Sequence, residues 1–580
     1  MTQWSTIEKS IIEEIEELVQ SKADCLSGEM VVCPNPLWGD VSLPCFALAK
    51  ILKKSPDEIA KTLAEKISDH VAVVLSARAD GGFLNITLTN KALFADVLTE
   101  VFEKKEEYGK PQHPLGTYIV EYASPNTNKP LHLGHLRNIV IGQAGIQFLK
   151  FIGHTVVPAE IINDRGIHIM KSLLAYQKWG EGDTPEKSKM KGDHFVGKYY
   201  VLFSSKVKEQ PELDEEAQGL LKKLESGDKE ITKQWKQLND WVIAGIKETY
   251  NRLGVEFEEE DFESDIYKQG KEVVDLGKET KIFSEREDGA VIANLEDVGL
   301  DEKVVLRSDG TAIYITQDLA LAQLRNERHP ELNGILHVVA REQEYHFRVL
   351  FEILKRLEYS WASKSSHVSY GLVNLPSGRM KSREGTVVDA DALLDELHAI
   401  AEKEITDRWE DLPAAAVTER AEMIAQAALR FYLLRVTLHQ DMIYDPEESI
   451  SLDGATGPYL QYTVTRIKSI LEKKSLEQPD SYDILKEIEE RKLALHLLRF
   501  PHVVEMISEQ LQESKQFNIS VLAQFSLELA QDANSFYQKH RVLDVKDKEL
   551  VSARHALLTA VASVLSGSLS LCSIEVPEKM

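Results

Sequence analysis

The chain lacks the features that mark several protein classes. No apolar run approaches the roughly 18 residues of a membrane-spanning helix. The opening Met1-Thr2-Gln3-Trp4-Ser5 has neither the basic block nor the apolar core of a secretory signal. Cysteine is scarce, four in 580 residues (Cys25, Cys33, Cys45, Cys572), with no Cys-x-x-Cys pair and no histidine at zinc-ligand spacing. No zinc is therefore expected, and the thiols read as reduced and cytoplasmic. A cationic excess is missing too: the net charge of −26 argues against indiscriminate polyanion binding but allows a nucleic acid held by local basic patches. No internal repeat or low-complexity stretch is present. The length exceeds what one core can serve, so three or more domains are expected.

Periodicity divides the chain. Residues 1–110 read as a small α+β module: a helix over 5–21, with Ser5 and Glu8 as a capping box, a helix over 56–67, and strands at 71–75 and 83–88 joined by the Ala79-Asp80-Gly81-Gly82 turn. Residues 111–375 alternate strand (118–123), helix (136–152) and strand (155–162). This is the opening of a Rossmann-like, doubly wound parallel sheet, an α/β fold. A polar helical insertion occupies about 180–280, and strands return at 290–293, 304–307, 312–315 and 335–340. A basic loop and connector fill 376–412, and an all-α bundle follows over 413–580.

The most informative stretch is Ser124-Pro125-Asn126-Thr127-Asn128-Lys129-Pro130-Leu131-His132-Leu133-Gly134-His135, set between a strand and a helix. That placement suits ATP. A helix N-terminus offers N–H groups and a positive dipole end to phosphates. Gly134 permits close approach of a nucleotide, and His132 and His135 can both donate to one phosphate. Much later, Gly378-Arg379-Met380-Lys381-Ser382-Arg383-Glu384-Gly385 forms a cationic loop able to stabilise charge spreading over a displaced pyrophosphate. Two other motifs are set aside. Gly192-Asp193-His194-Phe195-Val196-Gly197-Lys198 imitates a phosphate loop, but Tyr199 stands where Ser or Thr must hold magnesium. Asn85-Ile86-Thr87 matches a glycosylation acceptor without any sign of secretion.

Strand, His-x-Gly-His and a late basic loop resemble the signatures of class I aminoacyl-tRNA synthetases. Within that class the chain resembles the arginyl-tRNA synthetases over essentially its whole length. The resemblance rests on Ser124-Pro125-Asn126 with Lys129, Leu136-Arg137-Asn138, Asn163-Asp164-Arg165-Gly166, Tyr314-Ile315-Thr316-Gln317-Asp318, Glu342-Gln343-Glu344-Tyr345-His346-Phe347, Gly454-Ala455-Thr456-Gly457-Pro458-Tyr459-Leu460-Gln461-Tyr462 and the final Val576-Pro577-Glu578-Lys579-Met580. It implies ATP-dependent ligation of L-arginine to tRNA(Arg) through an arginyl-adenylate, with Mg²⁺ carried by ATP, in a cytoplasmic monomer with no membrane association.

The resemblance also implies residue roles. Asn126, Lys129, His132, Gly134 and His135, with Lys381, Ser382 and Arg383, would serve ATP, Lys129 replacing a lysine absent from the basic loop. A guanidinium needs carboxylates set for paired hydrogen bonds; Glu121, Tyr314 and Asp318 are implied there, with Asn126 and Gln343 toward the α-amino and carboxyl groups. Phe83 and Asn85 would read the tRNA D-loop by stacking and edge recognition. Tyr459, Gln461, Tyr462 and Arg466 are expected on the anticodon-binding surface of the bundle. Arg165 and His168 stand where the family has Trp and Gln, which leaves the role of that loop open. A synthetase for cysteine would call for zinc-binding cysteines, and a small-molecule adenylyltransferase has no use for the bundle.

Overall fold

Five strands between residues 117 and 370 form one all-parallel sheet in the computed structural model, in the order Ser365–Tyr370, Leu332–Ala340, Thr117–Glu121, Thr155–Ile162, Glu259–Phe262. Ile119, Val120, Ile335, Leu336 and Val338 are buried in it, as a sheet covered on both faces requires. Each such side chain contributes roughly 1.5–3 kcal/mol on leaving water. From Thr117–Glu121 the chain first builds outward through Thr155–Ile162 and later returns on the other flank at Leu332–Ala340. The strand order therefore reverses beside Glu121, and ligands bind at the carboxyl ends of strands at such a switch point. Described are residues 2–111, 116–267, 269–311, 313–375, 387–409, 412–451 and 454–580.

This sheet belongs to a unit made of Pro114–Ile450 and Leu511–Asn518. Helices Ile167–Trp179, Gly192–Lys206, Glu212–Glu225 and Lys229–Leu253 form the polar insertion. A separate antiparallel sheet joins Phe283–Glu285, Val291–Ala293 and Lys303–Leu306. The strand expected at 312–315 is not one. Helix Tyr314–Arg328 starts there, because Ile315, Leu319, Ala322 and the buried Arg325 share one face at helical spacing; Ala312 lies outside the described residues.

The second unit comprises Met1–His113, Ser451–Gln510 and Ile519–Met580. Its four-stranded antiparallel sheet runs Val31–Val32, Val41–Pro44, Phe83–Leu88, Val74–Asp80. The expected hairpin turns at Gly81 and Gly82, both at positive φ (56° and 86°), which glycine alone adopts freely. Helix Gln3–Val19 begins earlier than expected: Thr2, not Ser5, is its cap, accepting from the Ser5 N–H at 3.2 Å. Helix Lys548–Leu571 is long and apolar enough to cross a membrane, against the expectation from apolar runs. Its Val551, Leu557, Leu558, Val561, Leu565 and Leu569 are buried, as in the core helix of a bundle.

Candidate active site

Helix Leu133–Phe151 starts with a cap built from its two signature histidines. His132 Nδ1 accepts from the Gly134 N–H at 3.1 Å, and His135 Nδ1 accepts from the His132 N–H at 3.0 Å. An imidazole nitrogen that accepts carries no proton, so each neutral ring holds its hydrogen on Nε2. The rings lie 3.9 Å apart between centroids. Burial, then Lys129, pushes His132 down to about 4; burial, then His132 and Lys129, holds His135 well below its ordinary value. Both are neutral donors at pH 7.

The cap also corrects the sequence reading of the helix N-terminus. Its N–H groups are not free for phosphate: Leu133 donates to Val388 O at 3.0 Å, Gly134 to His132 Nδ1 and His135 to His132 O at 2.7 Å. Gly134 has a local reason as well. A Cβ there would sit 3.0 Å from His132 Cε1, displacing the ring that caps the helix.

The loop before the cap is held from several sides. Ala123 and Ser124 are non-glycine residues at positive φ (64° and 46°), a strained pair of the kind that persists only where surroundings impose it. Here Asn138 Oδ1 accepts from the Ala123 N–H at 2.5 Å, and Asn163 Nδ2 donates to Ser124 O at 3.2 Å. Asn126 pairs with Asn163 in an isolated bridge and is exposed. The buried Arg137 donates to Gly371 O at 2.6 Å and Gln440 O at 3.1 Å. Lys381, Ser382 and Arg383 lie outside the described residues. The chain just after them is placed: Ala390 donates to Leu131 O at 3.0 Å, and His132 and Asp389 form a bridge.

A second group of polar side chains gathers around Asp318 and Glu263. Asp318 lies on helix Tyr314–Arg328, its Oδ2 2.5 Å from His346 Nε2, and Tyr314 is 68% exposed at the helix start. Gln317 donates to the buried Glu263 at 3.1 Å. Burial, with Asp164 and Asp318 nearby, pushes Glu263 up to about 7 against the opposing Gln317 and Arg165. Gln343 is exposed at the head of helix Glu344–Arg356.

Glu121 is placed otherwise than expected. It is 4% exposed, hydrogen-bonded to the fully buried Arg325 and 3.1 Å from His337 Nδ1. Burial alone would raise its pKa, but His337 and Arg325 outweigh that and bring it to about 2. Arg325 also bridges to Asp261 at 3.0 Å, and Arg328 reaches Asp261 at 2.8 Å and Glu259 at 3.1 Å. The helix bearing Tyr314 and Asp318 is thus tied by ion pairs to neighbouring strands. Sequence reading missed Glu263, His346 and Arg325. Glu263 is hidden in the acidic run Glu258-Glu259-Glu260-Asp261-Phe262-Glu263; Arg325, two helical turns past Asp318 on the same face, was the more findable signal.

Residues 97–445, more than half of the chain, match the family model for the catalytic domain of the class I (R) tRNA synthetases. The chain belongs to the arginyl-tRNA synthetase family. Residues 5–88 match the arginyl tRNA synthetase N-terminal domain, and 460–580 the DALR anticodon binding domain. Relatives named arginine–tRNA ligase from Treponema denticola and Parabacteroides distasonis are 41% and 37% identical, over 99% and 98% of both chains respectively. The arginyl-tRNA synthetase of Thermus thermophilus has a TM-score of 0.80 at 27% identity, covering 99% of each chain. That of Plasmodium falciparum shares the fold, with a TM-score of 0.77 at 19% identity over 100% of each. Members of this class use ATP as a substrate.

In this chain the two departures from the family pattern make local contacts. Arg165 stacks on Tyr267 at 3.4 Å and pairs with Glu225 at 2.6 Å; His168 Nδ1 lies 3.3 Å from the Tyr200 hydroxyl. In the other unit, Phe83 is 37% exposed, edge-on to the exposed Phe46 at 5.2 Å. Asn85 on the same strand is buried; the Cys33 thiol donates to its Oδ1 at 3.4 Å, and among the described residues nothing accepts from its Nδ2. Gln461 is not on the bundle surface as expected: it is fully buried, donating to Glu575 O at 2.6 Å, which ties down the C-terminal segment. Tyr459, Tyr462 and Arg466 are half-buried. The Tyr459 hydroxyl accepts from Asn534 at 2.9 Å, and Arg466 stacks on Tyr537 at 4.0 Å.

Proposed function

We propose that the chain forms arginyl-adenylate from L-arginine and ATP and passes the arginyl group to the terminal adenosine hydroxyl of tRNA(Arg). No enzyme nucleophile is needed. The arginine carboxylate attacks the α-phosphorus, the bond to pyrophosphate breaks, and the tRNA hydroxyl then displaces AMP. The protein aligns the reactants and stabilises the pentavalent phosphorus. What carries this reading is the pair of neutral imidazoles whose Nε2–H donors are fixed by their own capping bonds.

His132 and His135 donate to the oxygens of the α-phosphorus, with Lys129 beside them. Lys381, Ser382 and Arg383 hold the leaving pyrophosphate. Mg²⁺ enters as part of the substrate MgATP and neutralises phosphate charge there. Asp193 and Asp391 do not fit a protein-held metal, because the Lys191 ammonium already sits 3.3 and 2.6 Å from them.

Asp318, Tyr314 and Glu263 receive the guanidinium, with His346 orienting Asp318. Asn126 and Gln343 face the α-amino and carboxyl groups. Glu121, engaged by Arg325 and His337, braces the helix that carries Tyr314 and Asp318. For tRNA, Phe83 stacks a D-loop base with Asn85 behind it, and Tyr459, Tyr462 and Arg466 meet the anticodon side. The enzyme is read as a cytoplasmic monomer; the burial of helix Lys548–Leu571 supports a chain without membrane attachment.

Pyrophosphate exchange with and without tRNA(Arg), with lysine and citrulline as competitors, tests the reading. Exchange is expected with arginine, and citrulline, which keeps the shape without the charge, should compete poorly. Exchange with citrulline as strong as with arginine, or none with arginine in either condition, would overturn it.

A further inference from the structure

The segment Gly192-Asp193-His194, which only imitates a phosphate loop in sequence, packs into a polar cluster beside His132. Lys191 Nζ lies 2.6 Å from Asp391 Oδ2 and 3.3 Å from Asp193 Oδ2. His194 Nε2 lies 3.1 Å from Asp391 Oδ2 and 3.4 Å from Asp389 Oδ2, and the Thr249 hydroxyl donates to Asp391 Oδ1 at 2.8 Å. Asp193 is fully buried. The scaffold under the cluster is close-packed: a Cβ on Gly192 would meet Trp241 O at 1.9 Å, and one on Gly245 would meet Asp193 Oδ1 at 2.4 Å. Insertion helices Gly192–Lys206 and Lys229–Leu253 therefore grip Asp391 from a backbone that has no room to shift.

Asp391 opens helix Ala390–Arg408, for which Asp389 is the cap, accepting from the Ala392 N–H at 2.9 Å. On either side of Asp389, the same chain makes its paired backbone bonds to the histidine motif, Leu133 N–H to Val388 O and Ala390 N–H to Leu131 O, each 3.0 Å. His194 and Asp389 also line, with Lys129 and His132, a cavity of about 300 Å³. We propose that Asp391, gripped by Lys191, His194 and Thr249, is a positioning residue for adenylate formation, fixing the 387–391 turn and through it the placement of His132. The hydrogen bond from His194 keeps that imidazole above its ordinary pKa despite burial, with Asp389 adding to the effect, so the contact is charge-assisted. The proposal rests on the adenylate-forming reading and adds to it a link from the insertion to the phosphate-binding histidines.

The test measures single-turnover arginyl-adenylate formation with tRNA(Arg) present, together with the arginine KM and the melting temperature. Asp391→Ala should slow the step about 10- to 100-fold with the arginine KM held within about twofold, since a misplacement near 1 Å costs about that much. His194→Ala should cost about fivefold, and His194→Gln, which keeps a side-chain N–H toward Asp391, should recover most of it. If Asp391→Ala unfolds near the assay temperature, the two His194 variants decide. Rates within about twofold of the parent, an arginine KM that rises in step with the rate loss, or a Gln variant no better than Ala would each overturn the proposal. A parent enzyme without arginine-dependent exchange would instead sink the underlying functional reading.

Discussion

The proposed nucleotide end and the proposed arginine end of the catalytic unit deal with charge in opposite ways. At the proposed nucleotide end the chain presents neutral groups, two half-buried imidazoles with protons fixed on Nε2 and pKa values pushed down by burial. At the proposed arginine end it packs full charges against one another, Glu121 with Arg325 and Arg325 with Asp261, and sets Asp318 within hydrogen-bond reach of His346. The reason lies in what each end meets. A phosphorus centre gathering negative charge is served by donors that need no reorganisation during the step. A substrate that is cationic throughout is met by carboxylates aimed before it arrives: the buried Glu121 stays ionised because it is partnered, whereas the buried Glu263 ionises only near neutrality.

Substitutions at the two ends should therefore fail differently. Glu121→Gln leaves the buried Arg325 short of a counter-ion, so stability in urea should fall by about 3–5 kcal/mol with the arginine KM nearly unchanged. A raised KM at unchanged stability would make Glu121 a direct substrate contact. Next in size, His135→Ala should slow adenylate formation by about 10²–10³ in single-turnover assays while arginine binding changes little. Asp318→Asn should raise the arginine KM about 10- to 100-fold, the worth of about 1.5–3 kcal/mol for a hydrogen bond to a charged group, and affect the phosphoryl step less.

The smallest effect is one of pH. Glu263, pushed up to about 7, ionises as pH rises through neutrality, so the arginine KM should fall by about two- to tenfold across that interval. Stability runs the other way. Between the ordinary carboxyl value and about 7 the folded chain holds a proton that the unfolded chain releases, so stability declines as pH rises through that window and then levels. Glu160, pushed up to about 8 by burial, acts in the same sense. Glu263→Gln should flatten the KM profile and remove its own share of the stability slope.

Local sequence carried the nucleotide end well, because strand, His-x-Gly-His and helix are contiguous and one cap organises them. It could not show that the helix N–H groups are already used, since the acceptor Val388 arrives from over 250 residues away. The arginine end was less legible for the same reason. Glu121 stood out as a charge in an apolar strand, but its partner Arg325 lies some 200 residues on, and spacing says nothing of which charge fills which. Tyr314 and Ile315 suit a strand by propensity, and the burial of Leu319, Ala322 and Arg325 decided for helix. Gln461 likewise shares its helix with the half-buried Tyr459 and Tyr462, and the C-terminal segment laid over it explains its burial.

The most direct test is ¹⁵N NMR of the histidine side chains, with His132→Gln and His135→Gln assigning the two signals among the 17 histidines. Both rings are expected to be neutral Nε2–H tautomers at pH 7, with no titration down to about pH 5. A ring that protonates near its ordinary value, or carries its proton on Nδ1, would contradict a nucleotide end built from neutral, pre-set donors.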